Sequence, residues 1–308
     1  MGNGFTGAAL SGPPEALVFH VARNDFWRLK SAHDESFPLV LARVGLSFPA
    51  LEGADYFVGQ SLYDATTTGR FTKGGQILLM EAYMAATEDV LVVKLSAEGE
   101  ESIEGSVVLE PADSDVPFPG IRESGTTLGG IRYLTRASND SSVEIPTKAA
   151  AAMLAQTRED GSFTLAPGKP LTILCAFSSD FKSDDCLQTA ISCLSGQPRA
   201  GSRACRWCAK PLKRLRKEHE EWWREYWSKS YVSIPDPDIE RQYYVSLYGI
   251  ASCSRDPDFP PPLFGTWITK EPPYWMADYH LNYNHQAAYY ALYSSNRIEQ
   301  ANPCYGPY

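Results

Sequence analysis

FGTWITKEPPYWMADYHLNYNHQAAYYALYSSNR, residues 264–297, reads as a loop crowded with aromatic and polar side chains that runs straight into a helix. The loop carries Gly265-Thr266-Trp267, then Pro272-Pro273-Tyr274-Trp275, then Asp278-Tyr279-His280. The spacing predicts a helix from about Asn282, with Tyr283, Ala287, Tyr290 and Ala291 along its packed stripe. Indole faces beside clustered amide, imidazole and carboxylate groups meet the needs of a sugar site: pyranose C–H faces stack on rings, and hydroxyls bond to Asn, Asp and His. A purely structural reading, an aromatic plug with Asn282 as helix cap, accounts for Trp, Pro and Tyr. It accounts less well for Asp278, His280, Asn282 and Asn284 within seven residues, because each buried polar group needs a partner or water.

Upstream, Ser233-Ile-Pro-Asp-Pro-Asp-Ile-Glu opens another helix. Asp236 is the expected N-cap, Pro237 takes N1, and Asp238 and Glu240 favour the positive end of the dipole. Ile239, Tyr243, Leu247, Tyr248, Ile250 and Ala251 form its apolar stripe, and the helix ends near Ser254 before a proline-rich segment. Before it, Pro211 to Ser230 is an amphipathic helix with Leu212, Leu215, His219, Trp222, Trp223 and Tyr226 on one face. Its basic end is balanced by Glu218, Glu220, Glu221 and Glu225, which fit solvated i,i+4 pairs better than a nucleic-acid surface, and His219 reads as a packed histidine. Asp184 to Leu194 is a shorter helix candidate.

Residues 1–200 read as β. Short apolar or alternating runs begin at Ala16, Leu39, Gln76, Val90, Ile103 and Leu171, separated by turn formers; Gly74-Gly75 and Gly129-Gly130 suit hairpins. Many short strands without intervening long helices predict an antiparallel sandwich. Pro111–Gly130 reads as a long loop, and Ala149–Gln156 fits a short helix or a strand edge equally. Asn24-Asp25-Phe26-Trp27 fits a turn closed by an Asx bond, with Trp27 as a core plug.

The 308 residues, 44% hydrophobic and 12% aromatic, suffice for a large core. A net charge of −9 argues against nucleic acid or an anionic membrane surface as partner, and no apolar run reaches the ~20 residues of a membrane span. No signal peptide follows Met1. Seven cysteines include one CxxC, Cys205 to Cys208, without the further ligands a zinc site needs, so free or buried thiols are expected and no metal. Asn139-Asp140-Ser141 is a formal glycosylation sequon that decides little. No phosphate-cradling, zincin or nucleophile-elbow pattern stands in a suitable context, and no cofactor is implied.

Gly265-x-Trp267, Pro272-Pro273-x-Trp275 and Asp278-Tyr279-His280-Leu281-Asn282-Tyr283-Asn284 resemble the start of the catalytic barrel in glycoside hydrolase family 95 and its six-hairpin relatives. Gly2-Asn3-Gly4 with Gly7, and Asn24 to Trp27, resemble segments near that family's N-terminus, where one sandwich loop can reach toward the barrel. The resemblance implies a mainly β fold with C-terminal helices: a β-sandwich (1–200), a helical linker (201–232) and the first helices of an incomplete (α/α)6 barrel (233–308). It implies that Asn282 and Asn284 position the attacking water. Trp267, Trp275, Asp278 and His280 would contact a carbohydrate substrate, with no cofactor. Tyr283, between the amides, departs from the aliphatic residue often found there.

The implied function is inverting glycoside hydrolysis, α-L-fucosidase-like or a related exo-glycosidase, on oligo- or polysaccharide. Alternatives are a phosphorylase of related architecture and a non-catalytic carbohydrate-binding sandwich using Trp27 or other sandwich aromatics. The resemblance also implies further chain at both ends, with the general acid and base downstream, and a secreted or periplasmic protein. These 308 residues alone are therefore expected not to turn over. Oligomeric state is left open.

Overall fold

The computed structural model describes residues 1–30, 36–112, 121–138, 143–195 and 212–306. The strands are β1 (Thr6–Ser11), β2 (Ala16–Arg28), β3 (Phe37–Ser47), β4 (Asp55–Ser61), β5 (Thr66–Lys73), β6 (Gln76–Met84), β7 (Val90–Glu98), β8 (Ile103–Glu110), β9 (Ile121–Thr126), β10 (Arg132–Ser138), β11 (Thr147–Ala155), β12 (Ser162–Leu165) and β13 (Leu171–Ser179). The helices are α1 (Cys186–Ser195), α2 (Leu212–Ser228), α3 (Pro237–Cys253), α4 (Tyr283–Ser294) and α5 (Asn302–Tyr305). The fold is mainly antiparallel β with C-terminal helices. A five-stranded sheet, β1-β2-β3-β8-β12, packs on an eight-stranded one, β4-β5-β6-β7-β13-β11-β10-β9. The core between them holds Phe19, Leu41, Phe48, Phe71, Leu78, Leu91, Val93, Leu134, Met153 and Ile173.

Continuous apolar runs mark strands of the larger sheet that are covered twice. In β7, Leu91, Val93 and Leu95 face the sandwich core, while Val90 and Val92 pack with Leu215 of α2. In β11, Ala149, Ala151 and Met153 face the core, and Ala150 and Ala152 receive Cys186 and Ala190 of α1. The ambiguous alanine run is therefore an interior strand between β13 and β10. Alanine's helix propensity yields to a site where a small side chain lets a helix approach the sheet.

Two expectations are corrected here. The Pro111–Gly130 loop contains β9, which pairs with β10 over Ile121 to Thr126 and turns at Gly129-Gly130; its polar sequence hid a strand stabilised by one neighbour. Asn24 to Trp27 lie inside β2 rather than in a turn, at register shifts against β3 between Val21 and Trp27. Such a bulge re-aims side chains, with consequences taken up below. The sequon and Cys205-x-x-Cys208 lie outside the described residues. Cys175, Cys186, Cys193, Cys253 and Cys304 form no disulfide; burial pushes the Cys253 thiol up to about 12. Among the described residues no cluster of metal-binding side chains occurs, and no helix is long and apolar enough to cross a membrane.

Helix α2 ties helices to sandwich. Trp223, fully buried, stacks on Trp227 and Tyr248 and meets Tyr226 edge-on. His219 is also fully buried: its Nδ1 accepts from the Ala86 N–H (3.1 Å) and its Nε2–H donates to the Asp64 carbonyl (2.7 Å). Both contacts require neutral imidazole, and burial lowers its pKa to about 4. The unfolded chain, near the ordinary value of ~6.5, takes up the proton first. The contribution of His219 is complete above pH ~6.5 and is lost as pH falls toward 4, in total ~3 kcal/mol. The buried Met1 amine, lowered to about 5, acts in the same direction at higher pH. Urea denaturation at pH 7.5 and 4 should show the stability gap between wild type and His219→Gln shrinking by about that amount. A gap independent of pH contradicts this assignment.

Candidate functional site

Asp236 caps α3 as the sequence predicts, its Oδ1 accepting from Asp238 N (3.0 Å) and Ile239 N (3.2 Å), with Pro237 in the first turn. After Ser254 the chain leaves the helix through Asp256–Pro262. The Leu263 N–H then bonds back to the carbonyls of Ala277 (3.3 Å) and Asp278 (3.1 Å), so residues 264–277 form a loop whose ends meet.

The sandwich holds this loop. Ile268 and Ala277 sit in an apolar seat made by Ala22, Val40 and Ala112. Glu271 is completely buried: its carboxylate takes Arg136 Nη1 (2.6 Å) and Nη2 (3.0 Å) from β10 and the Val40 N–H (2.7 Å) from β3. Beyond this clamp the backbone is strained. Trp275, Met276, Ala277 and His280 have φ of 49°, 56°, 50° and 37°, four of the six non-glycine residues with positive φ among those described. Left-handed backbone at ordinary residues costs of order 1–3 kcal/mol each and gathers at ligand sites.

The two other motif stretches meet the loop at its root. The Trp27 ring lies 4.9 Å from that of Tyr279, and the Asn24 amide donates to the carbonyls of Gly4 (3.0 Å) and Cys253 (2.7 Å). The bulged β2 thus reaches the helices, and Trp27 is buried as expected, at the root of the motif loop. Gly7 stands where a Cβ would lie 2.0 Å from Thr266 Oγ1, and Gly4 combines φ +89° with the close passage of the Arg255 side chain. The Arg255 guanidinium lies 4.0 Å over the Trp222 ring, bonded to the carbonyls of Asn3 and Ala86. Burial lowers its pKa to about 10, still fully charged at neutral pH.

Helix α4 begins at Tyr283, one residue after Asn282. Its buried residues are His285, Tyr289 and Leu292, so the predicted stripe of Tyr283, Ala287, Tyr290 and Ala291 is corrected: Tyr283 and Tyr290 are exposed. Both faces of this helix are aromatic, and only contact with α3 and Tyr279 selects one. Asn282 occupies the N-cap position, but its side chain makes no capping bond. The cap role of the structural reading is not filled by that amide.

Between α3, residues 261–267 and α4 lies a cleft of ≈1000 Å³. Trp267, Tyr279, Asn284, His285, Asp238 and Gln242 give its wall aromatic and polar groups, and Leu247, Ile250 and Ala287 its apolar part. The Trp267 Nε1–H is spent on the Met1 carbonyl (2.9 Å), so this indole offers the cleft only its ring. His285 stands between Tyr279 (6.1 Å) and Tyr289 (5.4 Å), and burial lowers its pKa, favouring the neutral ring.

Of the six predicted site residues, Trp267 and Asn284 line the cleft, whereas Trp275, Asp278, His280 and Asn282 do not. Trp275 is 77% exposed. Asp278 pairs with His280 Nδ1, which orients that ring. Tyr279 and His285 were not singled out from sequence, although both adjoin the motif. Glu271 carried no sequence signal, since an acid among prolines reads as solvated. Among the described residues the cleft lining contains one carboxylate, Asp238, and no lysine or arginine. Amides, rings and a neutral imidazole suit hydroxyl groups and water; they do not by themselves supply an acid–base pair.

Residues 213–306 match the family model of the glycosyl hydrolase family 95 catalytic domain. The motif loop, the cleft and α3 to α5 fall within that stretch, with α2 beginning one residue before it, so this part of the chain is similar to that family. The fold is shared with a putative kojibiose phosphorylase from the human microbiome: TM-score 0.61, 14% identity, 86% of this chain and 41% of that one. It is also shared with a bacterial glucoamylase complexed with acarbose: TM-score 0.50, 10% identity, 98% of this chain and 49% of that one. At those identities the likeness is one of fold alone. The chain spans less than half the length of either structure. No curated protein matches it.

Proposed function

We propose that this chain is the sandwich, linker and barrel mouth of a glycoside-cleaving enzyme of inverting type, α-L-fucosidase-like or a related exo-glycosidase. Its parts would be residues 1–200, 201–232 and 233–308. The observation that carries the reading is the match of residues 213–306 to a glycosyl hydrolase catalytic domain, with the cleft inside that stretch. Asn284 and Asn282 would hold the attacking water at the start of α4. Trp267 would stack on the sugar ring in the cleft, and Trp275, Asp278 and His280, which stand outside the described cleft wall, would contact a part of the substrate that extends beyond it.

Inversion needs a general acid and a base-activated water on opposite faces of the sugar, with carboxyls ~6.5–9.5 Å apart. Glu271 is committed to Arg136 and Asp238 accepts from Arg241 (2.8 Å). Among the described residues the cleft lining therefore lacks that pair. No cation among the described residues lines the cleft to receive phosphate, which supports hydrolysis over phosphorolysis.

Calorimetric titration of these 308 residues with α-L-fucosides and related glycosides should show binding without turnover. Asn284→Ala and Trp267→Ala should each weaken it about tenfold, the effect of ~1.4 kcal/mol in lost hydrogen bonding or stacking. Turnover by these residues sinks the assignment of acid and base to other chain. Binding that survives both substitutions but fails on Trp27→Ala supports the non-catalytic sandwich reading instead.

A further inference from the structure

The two sheets end in four edge strands, and three are protected in recognisable ways. β12 has only four residues, and β9 carries Arg122 and Glu123. β1 is covered: Gly7 abuts Thr266 and forms a bridge with Gly2, while Ala8 N bonds to the Met1 carbonyl. Short length, charge and coverage are the usual means of preventing edge-to-edge pairing.

β4, the outer strand of the eight-stranded sheet, uses none of these. Asp55–Ser61 runs seven residues in unbroken register with β5, without a bulge or proline. Its one charge, Asp55, is at the end of the strand. Tyr56 is 64% exposed, Phe57 72% and Val58 37%, although all three are apolar or aromatic. Among the described residues no backbone bond is made from the outer side of this strand.

We propose that β4 pairs antiparallel with β4 of a second copy of this chain, about a two-fold axis at Val58, making one sheet continuous across a dimer. The sequence is self-complementary in that register. Val58 meets Val58, Phe57 faces Gly59, Tyr56 faces Gln60 and Asp55 faces Ser61. The Phe57 ring of the same strand lies over Gly59, 3.0 Å from the position a Cβ would take there, so in this register the two Phe57 rings lie side by side across the axis. An aromatic opposite a strand glycine is a stabilising cross-strand pair. Parallel pairing would set Asp55 beside Asp55, so antiparallel is the arrangement without like charges opposed. An isologous two-fold contact also closes on itself, so the exposed edge ends in a dimer rather than a fibre.

Sedimentation equilibrium across a wide concentration range should give twice the 34.1 kDa chain mass. Val58→Lys opposes two cations at the axis and should return the mass to that of one chain with an unchanged circular dichroism spectrum. Tyr290→Lys, on the exposed face of α4, should leave the dimer intact. Under mild oxidation Val58→Cys should cross-link faster than Asp55→Cys, since only position 58 meets itself. A single-chain mass for the wild type, a dimer that survives Val58→Lys, or equal cross-linking of the two cysteine variants each overturns the proposal. A dimer lost in Tyr290→Lys but not in Val58→Lys places association on the helical face and does so as well.

Discussion

Replacing Glu271 with alanine is expected to destabilise the protein by ~3–5 kcal/mol, the cost of leaving a buried charge without its partner. The stranded group is Arg136, whose guanidinium is buried beside Phe26 and whose carboxylate partner would be gone. The Val40 N–H loses its acceptor at the same time. Glu271→Gln, which keeps an acceptor oxygen of the same shape, should cost less than the alanine variant. The effect should also be local: strained backbone at residues 275–280 persists only while its surroundings hold it, and Glu271 is the polar clamp nearest to it. Limited proteolysis should therefore cut Glu271→Ala between residues 264 and 282 before the sandwich. Urea titrations showing a loss below ~1 kcal/mol would mean that the apolar seat of Ile268 and Ala277 alone anchors the loop.

Arg23→Ala should have a comparable effect at the other root of the junction. Arg23 is buried between Asp25 (2.9 and 3.0 Å) and Asp89 (2.8 Å), and it donates to Thr6. Ser179 and Asn3 complete the shell on the two carboxylates. Removing the arginine leaves the buried Asp25 carboxylate and the partly exposed Asp89 carboxylate without their cation, a loss of up to ~3–5 kcal/mol. Burial alone would raise the Asp89 pKa, but the Arg23 charge and the bonds from Arg23, Asn3 and Thr6 outweigh it and hold the carboxyl below its usual value. In the wild type this stabilisation is present above the ordinary carboxylate range near pH ~4 and is lost as pH falls through the depressed value. In Arg23→Ala burial is opposed only by the bonds from Asn3 and Thr6, so acid sensitivity should begin at higher pH. Denaturation midpoints of both proteins between pH 3 and 7 measure this, and parallel profiles would count against the network.

Where local chemistry was decisive, sequence and structure coincide. The Asp236-Pro237 start of α3, the α2 face of Leu215, His219, Trp223 and Tyr226, and the Gly74-Gly75 and Gly129-Gly130 turns each rest on a few neighbouring residues. The misreadings arise where more than one environment is compatible with the residues. β11 is alanine-rich because α1 lies on it, and α4 is apolar on two faces, of which His285, Tyr289 and Leu292 are buried. The buried pair of Glu271 and Arg136 spans 135 positions, and no periodicity links an acid in a proline-rich loop to a basic residue on a distant strand.

The candidate site divides in the same way. Its amide, imidazole and indole groups were visible as a cluster because they are close in sequence, from Trp267 to Asn284. Which of them share the cleft was not visible, since backbone turns at Trp275 to Ala277 and at His280 separate neighbours onto different surfaces.

By itself the sequence determined the elements with strong local signals, the mainly β class with C-terminal helices, and a cluster of aromatic and polar groups between Trp267 and Asn284. The tertiary structure decided that the glycines near Gly4, the bulged β2 at Asn24 and the loop after Phe264 converge at one junction. The physical reason is range. Caps, turns and periodicity act across a few residues, whereas a buried ion pair, a ring contact or the close passage of two backbones depends on groups that only folding brings together.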